Sequence, residues 1–250
     1  MIMAGPIRAV LLDIEGTTSS LSYVHDVMFP YVREHLSDYL KARWSAPEMR
    51  ATLEALAADA GQPNAAAWFD NGTAEQHQQM VVRQVFTWMD QDLKATGLKQ
   101  LQGQIWQAGF ESGSLVAHVW PDVPAALHRW RELGVDMRIY SSGSIAAQKL
   151  FFGHTEAGNL LDLFSGHYDT TIGGKKNAAS YQAIAKDWGR PAQEILFVSD
   201  VVEELQAAEA AGFKVLLSMR PGNATQSSEF PCLQVHHFAA ITPWLHPKTL

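Results

Sequence analysis

Residues 7–14, IRAVLLDI, form an apolar run too short for a helix and too continuous for a half-exposed strand. Such a run reads as a strand buried on both faces, the kind found in parallel sheets. It ends in an acid, Asp13. The rhythm changes after Trp120, Pro121 and Asp122, and from there helix-like and strand-like stretches alternate. Residues 123–133 read as a helix stopped by Gly134, 135–140 as a strand, 144–152 as a helix and 164–169 as a short strand. Residues 178–188 read as a helix, 195–199 as a strand, 203–211 as a helix stopped by Gly212, and 213–218 as a strand. A surface loop at 219–231 and a last strand-like piece at 233–238 follow. Alternation of this kind predicts an α/β fold, an open parallel sheet with helices on both faces.

The long interval after the first strand has a different rhythm. Phe29, Val32, Leu36 and Leu40 fall at helical spacing, as do Leu53, Leu56 and Ala60, and Met80, Val81, Val85, Trp88 and Met89 mark a further helix. Pro30 places the start of the first helix, or a kink in it, at that point. Residues 97–114 are less regular, and Gly103, Gly109 and Gly113 weaken a helix assignment there. The expected organisation is a core of residues 1–20 and 119–250, with a helical cap, 21–118, inserted after the first strand.

Ligands of open parallel sheets bind beyond the carboxyl ends of the strands, and four polar clusters of this chain stand at such ends. Asp13 and Glu15, one residue apart before Gly16, suit a nucleophile beside an acid/base group, or a shared hard cation. Ser141, Ser142 and Ser144 follow the 135–140 strand at a helix start, where hydroxyls and free N–H groups hold an anion. Lys175 follows Gly173 and Gly174 at another helix entrance. Ser199 and Asp200 close the 195–199 strand, with Glu203 and Glu204 after them. Each cluster has an ordinary reading when taken singly: solvated acids, serine and aspartate helix caps, a surface lysine. An acid pair, hydroxyls, a lysine and an acid, in that order and each at a strand end, together point to phosphoryl transfer.

Composition bounds the alternatives. A 250-residue chain with 47% hydrophobic and 18% charged residues has a substantial core. A net charge of -7 argues against nucleic acid as a partner but leaves room for a small anionic ligand. Cys232 is the only cysteine, which suits a reducing compartment. No secretory leader opens the chain, and no apolar run reaches the about 18 residues that span a bilayer. A cytoplasmic protein without membrane or nucleic-acid partners is expected.

The ordered clusters resemble the four motifs of the haloacid dehalogenase superfamily. Glu15, where that superfamily usually has aspartate, is similar to its acireductone synthase branch, the enolase-phosphatases of methionine salvage. The resemblance runs through DIEGTTSSLSYVHDVMFPYVREHL at 13–36, PDVPAALHRWRELG at 121–134 and IYSSGSIAAQKLFFG at 139–153. It continues in LFSGHYDTTIGGKKNAASY at 163–181 and ILFVSDVVEELQAAEAAG at 195–212, and fades across 45–115. It implies a Rossmann-like core with an inserted helical cap, one Mg²⁺ per subunit, a monomer, and a small phosphate ester as substrate.

In that family's terms Asp13 is the nucleophile, Glu15 the acid/base group, and Lys175 the charge that balances transfer. Ser141, Ser142 and Lys175 hold the phosphoryl group, and Asp13, Asp200 and the Glu15 carbonyl hold the metal. The implied reaction enolises and then dephosphorylates 2,3-diketo-5-methylthiopentyl-1-phosphate. Two other functions fit the same residues: a phosphatase of another small ester without enolisation, and a catalytically silent phosphate-binding module. One position departs from the pattern. Asn177 stands where an acid often follows the lysine by two residues, so Lys175 is expected to be held differently, or Lys176 to share its task.

Overall fold

A computed structural model describes residues 6–69, 71–223 and 230–245. Along the chain the elements are β1 Ala9–Leu12, α1 Leu21–Tyr23, a π-helical stretch Val24–Met28, α2 Phe29–Arg43, α3 Pro47–Asp59, α4 Ala65–Trp68, α5 Ala74–Asp90 and α6 Thr96–Ser112. Then come α7 Val123–Glu132, β2 Asp136–Tyr140, α8 Ile145–Gly153, β3 Gly166–Tyr168, α9 Ala178–Trp188, β4 Ile195–Ser199, α10 Val202–Ala210, β5 Lys214–Ser218 and β6 Leu233–Val235. They divide into two compact units, one of Met1–Val24 with Val116–Leu250 and one of His25–Leu115.

The first unit is a six-stranded sheet in the order β3-β2-β1-β4-β5-β6, parallel at every pairing. β1, the apolar run that opens the chain, lies inside the sheet, and all four of its residues are buried. Its register pairs Leu12 with Ile139 of β2 and with Val198 of β4. The residues that follow these three strands therefore emerge at one edge. Leu11, Tyr140 and Phe197 pack with Tyr181 and Ile184 of α9 and Val202 and Leu205 of α10. Fully burying one such side chain contributes roughly 1.5–3 kcal/mol.

The second unit gathers helices around Val32, Leu36, Leu40, Met49, Leu56, Val81, Val85, Leu101 and Ile105. Pro30 is the second residue of α2, and the backbone is already helical where it enters, through the π-helical stretch Val24–Met28. The proline therefore marks a change of helical pitch and not a free start. The doubtful stretch at 97–114 is a full helix, α6. Two of its glycines serve packing: a Cβ on Gly97 would lie 2.5 Å from the α3 backbone, and one on Gly109 2.7 Å from the Tyr31 ring. The cost of glycine inside a helix is offset by this close approach.

Other expectations need trimming. β3 covers three of the six residues at 164–169, because Leu161–Leu163 form a 3₁₀ turn just before it. β6 stops at Val235, where the chain bends and the Phe238 N–H donates to Asp122 Oδ2 instead of a neighbouring strand, at 2.6 Å. Residues 224–229 of the expected 219–231 loop lie outside the described residues, and 219–223 hold neither strand nor helix. Cys232 is half-buried against the sheet core. Among the described residues no helix is long and apolar enough to cross a membrane.

Candidate active site

Asp13 continues β1 by one residue, its N–H donating to the Val198 carbonyl at 3.1 Å. Its side chain is buried at the carboxyl edge of the sheet, where Oδ2 lies 2.7 Å from Lys175 Nζ and Oδ1 accepts from the Ile14 N–H at 2.8 Å. Lys175 Nζ is also 2.7 Å from Glu204 Oε2. The Ser199 hydroxyl stands between the two acids, 2.9 Å from Glu204 Oε2 and 3.2 Å from Asp13 Oδ2. One hydroxyl hydrogen serves one acceptor at a time, and the shorter contact favours Glu204.

Asp200, the next residue after β4, is 6% exposed. Its carboxylate lies against Gly16, where an added Cβ would be 2.2 Å from Oδ2. Gly16 also has φ +68, so glycine answers both a steric and a conformational demand here. The turn itself is tight. The N–H groups of Thr17, Thr18 and Ser19 all donate to the Ile14 carbonyl, and Thr18 Oγ1 donates toward the carbonyls of Asp13 and Ile14.

Three buried carboxylates, Asp13, Asp200 and Glu204, thus accompany one ammonium. Burial, and then the Asp13 charge, push the Asp200 carboxyl up to about 7 and raise that of Glu204. Burial alone would lower Lys175, but the carboxylates of Asp13 and Glu204 outweigh it and hold the ammonium protonated well above its ordinary range. The excess of hard oxygen ligands over cations fits a divalent ion such as Mg²⁺. Among the described residues no three acid, imidazole or thiol side chains form a complete ligand set. Mg²⁺ asks for less, since it takes one or two carboxylates and fills its octahedron with other oxygens.

The remaining candidates lie along the same edge. Ser141 is buried after β2, its N–H donating to the Tyr168 carbonyl at 3.2 Å and its Oγ accepting from the Gly143 N–H at 3.3 Å. Ser142 is exposed, and Ser144 caps α8. Glu15 has a half-buried side chain, and its backbone bridges to Ser19. Among the candidates Asp13 and Lys175 are in direct side-chain contact, and Asp200 is coupled to both through charge.

Glu204 is the residue that sequence reasoning left unassigned. Its neighbour Glu203 reaches solvent and stands 3.9 Å from Lys176, which is itself exposed. Only helical phase separates these two glutamates, because Val202, Leu205 and Ala208 define the buried face of α10. The question raised by Asn177 now has an answer in geometry. Lys175 is gripped by Asp13 and Glu204, and its carbonyl accepts from the Tyr181 hydroxyl at 2.6 Å. Asn177 is the N-cap of α9, accepting from the Ala179 N–H at 3.0 Å. Asn177→Ala is therefore expected to cost about 1 kcal/mol of stability and to leave kcat within about twofold. A large fall in kcat at unchanged melting temperature would show that Asn177 acts on the lysine after all.

Comparison with known proteins extends these observations. Residues 7–212 match the family described as haloacid dehalogenase-like hydrolase. An enolase-phosphatase E1 of Azotobacter vinelandii is 44% identical over 238 residues, 95% of this chain and 98% of that protein. Among solved structures, the UTR4 protein of Saccharomyces cerevisiae superimposes with a TM-score of 0.77 at 31% identity, over 92% of this chain and 98% of that one. A putative haloacid dehalogenase-type hydrolase of Bacillus subtilis, YfnB, solved bound to magnesium, gives a TM-score of 0.58 at 11% identity, over 96% and 99% of the two chains. That last likeness is one of fold alone.

Proposed function

The chain belongs to the haloacid dehalogenase-like hydrolases and, within them, to the enolase-phosphatase E1 family, and on that premise we propose that it enolises and then dephosphorylates 2,3-diketo-5-methylthiopentyl-1-phosphate. The products are an acireductone and phosphate, as in methionine salvage. The observation that carries the proposal is the buried Asp13 carboxylate, 2.7 Å from an ammonium that Glu204 also holds. A nucleophile and its counter-charge are thereby fixed before substrate arrives, which is where electrostatic catalysis gains most.

In the first step Glu15 takes the proton from C1, the carbon bearing the ester, and Lys175 stabilises the enolate oxygen at C2. In the second, Ser141 and Ser142 hold the phosphoryl group while Asp13 attacks phosphorus. The bond to the ester oxygen breaks, Glu15 protonates that oxygen, and an aspartyl-phosphate forms on Asp13. Glu15 then takes a proton from water, which attacks phosphorus and frees Asp13. One Mg²⁺, held by Asp13, Asp200 and the Glu15 carbonyl, would offset the negative charge of the phosphoryl oxygens. Action in the cytoplasm as a monomer, on a small ester and without nucleic-acid or membrane partners, completes the proposal.

The test is incubation with Mg²⁺ and the diketo phosphate under nitrogen, following ultraviolet absorbance and released phosphate together. An enol signal followed by phosphate, both lost with EDTA, is expected. Phosphate from simpler esters without enolisation would leave a phosphatase of another small ester, and neither signal would leave a silent phosphate-binding module. In the same assay Glu15→Gln is expected to lose enolisation, and an unimpaired enol signal would remove Glu15 as the base.

Metal binding carries a pH signature. The Asp200 carboxyl, at about 7 in the fold against an ordinary 3.8, keeps a proton between about pH 4 and 7 that the unfolded chain has lost. Its contribution to stability therefore falls as pH rises through that window. Mg²⁺ must displace the same proton, so it binds more tightly as pH rises toward 8. At a hundredfold excess over its dissociation constant it contributes about 2.7 kcal/mol, or roughly 5–10 °C in a chain of this length. Thermal shifts with Mg²⁺ against EDTA should be larger at pH 8 than at pH 5.5, and equal shifts would contradict the Asp200 assignment.

A further inference from the structure

The turn after Asp13 is pinned from outside as well as from within. Its three consecutive carbonyls at Gly16, Thr17 and Thr18 each accept a donor from beyond the turn. Gly16 O accepts from Ser218 Oγ at 3.1 Å and Asn223 Nδ2 at 2.9 Å, Thr17 O from Arg220 Nε at 3.1 Å, and Thr18 O from the Trp120 N–H at 3.0 Å. Ser218 ends β5, and Arg220 and Asn223 follow it.

Arg220 is 7% exposed, and all three nitrogens of its guanidinium are engaged. Nη1 and Nη2 make a bidentate pair with Asp122 at 2.9 and 3.1 Å, and Nη1 also donates to the His236 carbonyl at 2.9 Å. The plane lies over the Trp120 and Phe238 rings, 5.7 and 4.9 Å from their centroids. Burying a cation at this spot is costly, and an apolar side chain would fill the same space. What an apolar side chain cannot do is hold the Thr17 carbonyl in a fixed direction, which the rigid guanidinium fork does.

We propose that Arg220, Ser218 and Asn223 act as a positioning clamp that holds the Gly16–Thr17 peptide so that Glu15 and Asp13 keep their alignment with Asp200. The inference rests on the reading of Asp13 and Glu15 as the reacting groups. Its force comes from clearance: Gly16 passes so close to the Asp200 carboxylate that a Cβ would meet Oδ2 at 2.2 Å. A small drift of this peptide displaces Glu15 and changes the gap between the two acid-bearing strand ends. The hydroxyls at 141 and 142 sit on a different strand end and do not depend on it. Released, the clamp slows the chemical step and spares substrate binding.

The clamp is tested first with Ser218→Ala combined with Asn223→Ala, a change that removes both donors to Gly16 O and little volume. The expected result is a kcat lower by about 10- to 100-fold, a KM within about threefold, and a melting temperature lower by only a few degrees. Arg220→Met, which keeps packing but no donor, should be slower still, and Arg220→Lys should recover part of the loss. Lower stability with wild-type kcat at a temperature where the variants are folded would overturn the clamp. So would a kcat loss no greater than the fraction unfolded. If the natural chain releases no phosphate from any ester, the site reading fails by itself, and amide exchange then decides the clamp. Thr17, Thr18 and Ser19 should lose protection in the double variant while α10 keeps it, and unchanged protection at all three would overturn the proposal.

Discussion

Asp13→Asn is expected to reduce phosphate release by about ten-thousand-fold or more while leaving the fold intact. The amide has nearly the shape of the carboxylate but no nucleophilic oxygen, so no aspartyl-phosphate forms. Stability should hardly suffer, because Lys175 keeps its 2.7 Å contact with Glu204 and the cluster loses one of its excess negative charges. The Asp13 charge is the second cause, after burial, of the raised Asp200 carboxyl, so this variant should also resist alkaline destabilisation at least as well as the parent. Single-turnover phosphate release and a thermal melt at pH 8 check both halves. Phosphate release within tenfold of the parent would place the nucleophile elsewhere.

Lys175→Met is expected to damage both stability and catalysis. It leaves the buried carboxylates of Asp13 and Glu204 facing an apolar end with no cation between them. Breaking a buried pair in this way costs about 3–5 kcal/mol, roughly 10 °C or more in a chain of this size. Loss of the charge that balances transfer lowers kcat by about a thousandfold. The pH dependence has a definite sign. The Glu204 carboxyl, already raised by burial and the Asp13 charge, loses the ammonium that lowers it and rises further, so the stability deficit is smaller at pH 5 than at pH 8. Adding Glu204→Gln should restore part of the lost stability without restoring activity, a coupling that a double-mutant cycle measures. Additive effects of the two substitutions would mean that Glu204 and Lys175 are not paired in solution.

Strand identity was legible because buried parallel strands leave continuous apolar runs, and AVLL at 9–12 and ILFVS at 195–199 are such runs. Their carboxyl ends, and so the placement of Asp13 and Asp200, followed from the same pattern. Strand order was not legible, since nothing in AVLL says that β1 lies between β2 and β4. The α6 helix was obscured by its glycines, because propensity charges them with flexibility, whereas Gly97 and Gly109 are set by contacts with α3 and Tyr31. The partner of Lys175 was hidden for a related reason. Two adjacent glutamates look alike until the phase of α10 buries Glu204 and leaves Glu203 in solvent. Asn177 was read as a missing acid where its side chain in fact closes the first turn of α9.

The interior place of β1 also has a consequence for how the chain is made. β1 leaves the ribosome long before its two hydrogen-bonding neighbours, which begin only at Asp136 and Ile195. At ordinary translation speeds it waits on the order of ten seconds for β2 to emerge. Throughout that wait an apolar strand has both its edges open, the condition under which nascent chains pair wrongly or recruit chaperones. The helices of His25–Leu115, built from contacts close in sequence, can form in the meantime. Synthesis order thus works against the central strand and with the helices.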